Sequence, residues 1–153
     1  MAAPVISWYK ADNTTQVTSW DIGTVDAGTV SNDTTFLIWN NRAGTGAVSD
    51  MTACAVTTKD SSGGNNGEII TNKWIEIKVD SMNESTFTPI GGTTTKTVQA
   101  AGAAAGTISG AVNDGTTANA AVNFAKITVH ANVPAIATAG NVSFLTRIAY
   151  QYV

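Results

Sequence analysis

The stretch Trp74-Ile75-Glu76-Ile77-Lys78-Val79-Asp80 places an apolar side chain at every second position. Successive side chains of a strand point to opposite faces, whereas a helix repeats every 3.6 residues. The alternation therefore predicts a half-buried antiparallel strand, with Ile75, Ile77 and Val79 facing a core and Trp74, Glu76 and Lys78 facing outward. Residues 125–133 repeat the pattern. Ile127, Val129 and Val133 point inward there, and Lys126, Thr128, His130 and Asn132 point outward. Near the C-terminus, Val142, Phe144, Ile148, Tyr150 and Tyr152 share one face, opposite Ser143, Arg147 and Gln151.

Further strands are predicted at residues 5–9, 16–22, 34–40 and 51–58, with shorter ones at 85–88 and 93–98. Thr35-Phe36-Leu37-Ile38-Trp39 is apolar on both faces, which suits a strand covered on both sides. Turn residues separate these runs. Gly and Asp punctuate residues 23–31, Asn40-Asn41 opens another break, and Asp60 to Gly67 forms a long loop between two strands expected to pair as a hairpin. Residues 99–105 hold the best helical composition, but Gly102 and Gly106 interrupt it, each unfavourable by about 1 kcal/mol relative to Ala. Residues 100–121 are an Ala/Gly/Thr-rich tract short of large side chains, expected as a long excursion off the domain. The pattern is all-β: an antiparallel β-sandwich, Ig-like or jelly-roll-like. Residues 11–153 form its single domain, and residues 1–10 are an N-terminal segment suited to an attachment arm.

Charged residues make up only 12% of the chain and the net charge is −3, against about a quarter charged in an ordinary domain. The eight basic residues are scattered, so neither nucleic acid nor an anionic membrane is an expected partner. No run approaches a membrane span, and the first residues lack the charged and apolar regions of a signal peptide. Synthesis in a cytoplasm is the resulting expectation. The one cysteine, Cys54, cannot close an internal disulfide and sits in an apolar run, as a buried thiol would.

Catalytic chemistry finds little to work with. The single histidine, His130, falls on the polar face of its strand and is expected at the surface. No serine or cysteine is aimed at it by any recognisable spacing, as nucleophilic catalysis requires. One His and one Cys cannot make a zinc site. The acidic loop beginning at Asp60 lacks the terminal glutamate of a calcium loop, since its twelfth position is Thr71. No phosphate-cradling glycine motif is present, so no cofactor, no metal and no enzymatic activity are expected. Among the four tryptophans, Trp74 on its polar face and Trp8 near the N-terminus are the rings most available to a sugar or a protein surface.

Trp20-Asp21-Ile22-Gly23-Thr24-Val25-Asp26-Ala27-Gly28-Thr29-Val30-Ser31, followed by Thr35 to Asn41, resembles the opening of an Ig-like sandwich, in which a Gly-rich turn leads into an apolar strand ending in Asn. Residues 133–140 and 142–148 resemble the last hairpin of small β-sandwich proteins of tailed-bacteriophage virions, such as capsid decoration proteins and tail or baseplate accessory domains. The resemblance implies a structural protein, made in the host cytoplasm, that binds the exterior of a capsid. Its partner would be the major capsid protein or another virion protein, and a homo-oligomer, a trimer for instance, would suit such a site. The alternative is a carbohydrate- or receptor-binding module of a tail or baseplate. Expected partner contacts are Val5, Ile6, Trp8, Tyr9 and Trp74.

Overall fold

The computed structural model describes residues 1–153. The elements in chain order are β1 (Ile6–Lys10), β2 (Thr34–Asn40), β3 (Thr52–Asp60), the one-turn helix α1 (Glu68–Thr71), β4 (Ile75–Val79), β5 (Thr88–Ile90), β6 (Lys96–Thr97), β7 (Phe124–Ala131) and β8 (Phe144–Gln151). They form two antiparallel sheets, one ordered β1-β2-β7-β4-β5 and one ordered β6-β3-β8. The all-β sandwich is thus the observed architecture.

Alternation does its expected work in the larger sheet. Ile75, Ile77 and Val79 of β4 are fully buried, and beside them lie Ile127 and Val129 of β7 and Phe36 and Ile38 of β2. Cys54 and Val56 of β3 close the core from the smaller sheet. Burial of each such aliphatic side chain stabilises the fold by roughly 1.5–3 kcal/mol. The two-faced β2 is covered on both sides. Phe36 and Ile38 enter the main core, while Leu37 and Trp39 enter a second cluster with Ala120 and Phe124.

Three expectations fail, each for a local reason. The strands flanking the Asp60–Gly67 loop do not pair. β3 belongs to the smaller sheet and β4 to the larger one, and α1 turns the chain between them. Residues 16–22 contribute a bridge from Gln16 to Tyr9 but no strand. The tract at 100–121 is no excursion. Ile108 bridges to Met51 with backbone bonds of 3.0 and 2.9 Å, Val48 N–H donates to Gly110 O at 2.9 Å, and Cys54 N–H donates to Gly106 O at 2.9 Å. A strand-like ladder needs only backbone groups, so a chain poor in large side chains can still bind along β3. Gly110 is required for this approach. A Cβ there would lie 2.3 Å from Val48 O and 2.6 Å from Ser49 O.

Side-chain amides complete that seam. Asn40 is fully buried, accepting from Val5 N–H at 3.1 Å and donating to Ser49 O at 3.0 Å and Ile108 O at 3.3 Å. Asn41 donates to Gly110 O at 2.9 Å, and Asn123 donates to Ser109 O and Ala111 O, both at 2.9 Å. A primary amide has two donors and an acceptor, which suits it to joining loop carbonyls that no ladder reaches.

Candidate functional site

The opposite side of the sandwich is not closed in this way. There, residues 17–25, residues 137–143 and the first half of β8 border two clefts that share Trp20 and Phe144. The smaller, about 310 Å³, is lined by Trp8, Phe36, Ile127 and Val129 together with Phe144 and Thr146. Ile127 and Val129 belong to the main core and are 0% and 1% exposed, so the cleft ends where the closed core begins. The larger, about 710 Å³, is bordered by Trp20, Ile22, Val25, Ile69, Trp74 and Val142, with Asp21, Asp26, Asn141 and Ser143 among its polar groups.

Aromatic edges hold the two clefts apart. Trp20 meets Phe36 and Phe144 edge-on, each at 5.8 Å between ring centres, and Trp8 meets Phe36 at 6.2 Å. Such pairs contribute roughly 0.5–1.5 kcal/mol beyond area burial. Glu68, in α1, ties down the far wall of the larger cleft. Its carboxylate accepts Thr138 Oγ1–H at 2.5 Å and Thr138 N–H at 3.0 Å. These two bonds, the hydroxyl's first, hold the Glu68 carboxyl below its ordinary range.

The expected contact residues are dispersed. Ile6, Trp8 and Tyr9 lie on β1, an integral edge strand whose register pairs Trp8 with Ile38, so residues 6–10 are built into the sheet and not carried as a separate arm. Ile6 and Trp8 pack against the main core, whereas Tyr9 joins the second cluster under the Arg42 guanidinium, 4.1 Å from its ring centre. Val5 precedes the strand and is half exposed. Trp74 is the clear correction. It is 7% exposed and belongs to the core. The ladder starts one residue later, at Ile75, and Lys73 has a left-handed φ of 51°, so the turn before the strand breaks the alternation at Trp74. Trp8 lines the smaller cleft and Trp74 the larger one. Trp20, absent from the expected contacts, lines both. Its signal in the sequence was an aromatic beside the Gly/Asp-rich run.

His130 is also misplaced by the alternation. It is on the outer face, as expected, but only 7% exposed. Asp33 Oδ1 lies 2.9 Å from its Nδ1 and Glu76 Oε1 lies 2.8 Å from its Nε2, while Phe87 stacks on the ring at 3.9 Å. Each ring nitrogen thus faces one carboxylate oxygen. With both nitrogens so engaged, neither faces a hydroxyl or thiol as a general base would. The carboxylates approach opposite nitrogens and do not converge on a common point for a cation. The cluster instead cross-links the start of β2 with β4 and β7. Cys54 is inert for a different reason: burial pushes its thiol up to about 11, away from the thiolate. The Asp60 carboxylate is committed to its own loop, accepting the N–H groups of Ser62, Gly64 and Asn66 at 2.9 to 3.0 Å. No protein-family model matches this sequence, and no curated protein does.

Proposed function

We propose that this chain is a non-enzymatic structural protein of a bacteriophage virion, a capsid decoration or stabilisation protein that docks on the capsid exterior. The observation that carries the reading is the unclosed side of the sandwich, where the half-buried rings of Trp8, Trp20 and Phe144 line an open cleft beside a bare strand edge. A surface of this kind suits a protein partner better than a reaction, since hot spots are aromatic and aliphatic anchors seated in pockets. The engaged His130, the buried Cys54 and the sequence resemblance support the same reading. A weakly charged surface suits repeated docking on a symmetric lattice, where many copies gain avidity without a strong single contact. The partner is the major capsid protein or a neighbouring virion protein, and a trimer matches a three-fold site on such a lattice.

The test is sedimentation of the purified protein with capsids that lack it. Co-pelleting at a saturable stoichiometry, with particles that resist heat better once loaded, is the expected outcome. Capsids that neither retain the protein nor change in stability would dismiss the proposal. One observation favours a second reading, a carbohydrate- or receptor-binding module: the larger cleft combines Trp20 with the polar groups Asp21, Asp26 and Asn141. In that reading the stacking ring is Trp20, since Trp74 is enclosed. Tryptophan fluorescence titrated with glycans separates the two, and saturable quenching abolished by Trp20→Ala would favour the sugar.

A further inference from the structure

The four sheet edges are treated unequally. β5 and β6 are short, at three and two residues. β1 is partly covered, because Lys10 N–H donates to Thr15 O at 2.9 Å and Val17 N–H donates to Trp8 O at 2.8 Å. β8 is eight residues long and pairs only with β3. Soluble proteins normally blunt such an edge with a proline, a bulge, an inward charge or a short strand. β8 has none of these. The register shift in this pair lies on the β3 side, between Thr52 and Ala55, and the inward positions of β8 are Phe144, Thr146, Ile148 and Tyr150.

Those same residues present their main chain outward. Cys54 O accepts Val98 N–H and Thr58 O accepts Gly92 N–H, so the even-numbered residues of β3 bond away from β8. The odd-numbered ones, Ala55, Thr57 and Lys59, face Ala149, Arg147 and Leu145. The amides and carbonyls of Thr146, Ile148 and Tyr150 are left pointing to the free edge, since ladder bonding alternates along a strand. The edge runs for about 27 Å, and at its Phe144–Thr146 end it adjoins the smaller cleft.

We infer that β8 accepts an added β-strand: an extended segment of a partner protein, bearing an apolar residue that enters the cleft beside Trp20 and Phe144 and an acidic residue beside Arg147. Main-chain bonds supply affinity in this mode, and alternate side chains supply specificity. Charge selects the occupant. Arg147 stands on the exposed face of β8 and makes no ion pair. The two terminal segments of this chain, residues 1–9 and 144–153, hold no Asp or Glu. No side chain of either segment in a second copy is an anion, and β8 paired with its own twin supplies only another arginine side chain. The origin of the segment in a virion protein rests on the docking reading above; strand addition itself does not.

The experiment uses the whole protein and a synthetic peptide of alternating valine and threonine, about ten residues long with a central aspartate. Amide hydrogen exchange should slow at Thr146, Ile148 and Tyr150 when the peptide binds. A central lysine should weaken binding about fivefold, and Arg147→Glu should reverse that preference. Thr146→Pro removes an outward N–H and no ladder bond, so it should leave the fold and its unfolding midpoint intact while weakening the peptide at least tenfold. Unchanged exchange at the three amides, or equal binding by Thr146→Pro, overturns the inference. So does protection that needs no peptide and rises with protein concentration, which would make a second copy the occupant. Capsids that bind wild type and Thr146→Pro equally would overturn strand addition and leave docking standing. Peptide binding without capsid binding would do the reverse.

Discussion

The sandwich has one side closed by small residues and one side left open by large ones. On the closed side, residues 100–121 hold only Ile108 and Val112 as large aliphatics, yet they bind β3, and Ala120 packs in the cluster of Leu37 and Trp39. Backbone ladders, buried asparagine amides and the close approach at Gly110 make this seam. On the open side, Trp8, Trp20, Phe36 and Phe144 pack edge to edge, but β8 has no main-chain partner beyond β3. Apolar mass alone does not close a sandwich. Closure also needs every edge amide and carbonyl to be answered.

Mutations can break or sharpen this contrast. Trp39→Ala, on the closed side, should show the largest effect, a loss of about 4 kcal/mol in urea unfolding. A loss below about 1 kcal/mol would mean that the covering tract contributes no real burial. Gly110→Ala should follow at about 3 kcal/mol, since its methyl group meets two backbone carbonyls that cannot turn aside. Phe144→Ala, on the open side, should lower stability by only about 1.5 kcal/mol, because that ring is half buried. If it matched Trp39→Ala, the two sides would be equally closed and the contrast would disappear.

Acid should act by a smaller step. The N–H groups of Thr14 and Thr15, with the Thr15 hydroxyl, hold the Asp12 carboxyl at about 2. The Asn119 amide and the Thr116 hydroxyl and N–H hold Asp114 at about 2. Both carboxyls lie below their unfolded value of 3.8. Their contribution is therefore complete above that value and is lost as pH falls through about 2. Carboxyl chemical shifts followed by NMR should show both groups titrating near 2, and titration of either near 4 would contradict the turn geometry. Glu68 is depressed in the same sense, so acid should also release Thr138 and faster amide exchange should follow at residues 137–143.

The fold class is legible in the sequence because alternation reports which face a residue occupies. The predicted range 34–40 coincides with β2, and Ile75, Ile77 and Val79 point inward as expected. Alternation does not report whether an outward face is then covered. His130 points outward and is still enclosed by Asp33, Glu76 and Phe87, which arrive from three other places in the chain. It also fails at strand ends, where the turn at Lys73 sends Trp74 inward. The closing tract was illegible for another reason. Its contacts are made by backbone and by asparagines, and neither leaves a hydrophobic period. The open edge was hidden because sheet order is a long-range property. The similar runs in β7 and β8 pass for neighbours in one hairpin, yet they end in different sheets.

The indole nitrogens of Trp20, Trp39 and Trp74 are all buried without a hydrogen-bond acceptor. Each such donor is unfavourable by about 1–3 kcal/mol, but it also keeps the ring's excited state away from relaxing dipoles. The folded chain should consequently emit at the blue end of the tryptophan range and redden sharply when it opens. Because Trp20 stands between the two clefts and Trp39 lies beneath the closing tract, single tryptophan-to-phenylalanine replacements would give each flank its own optical signal, readable without any added dye.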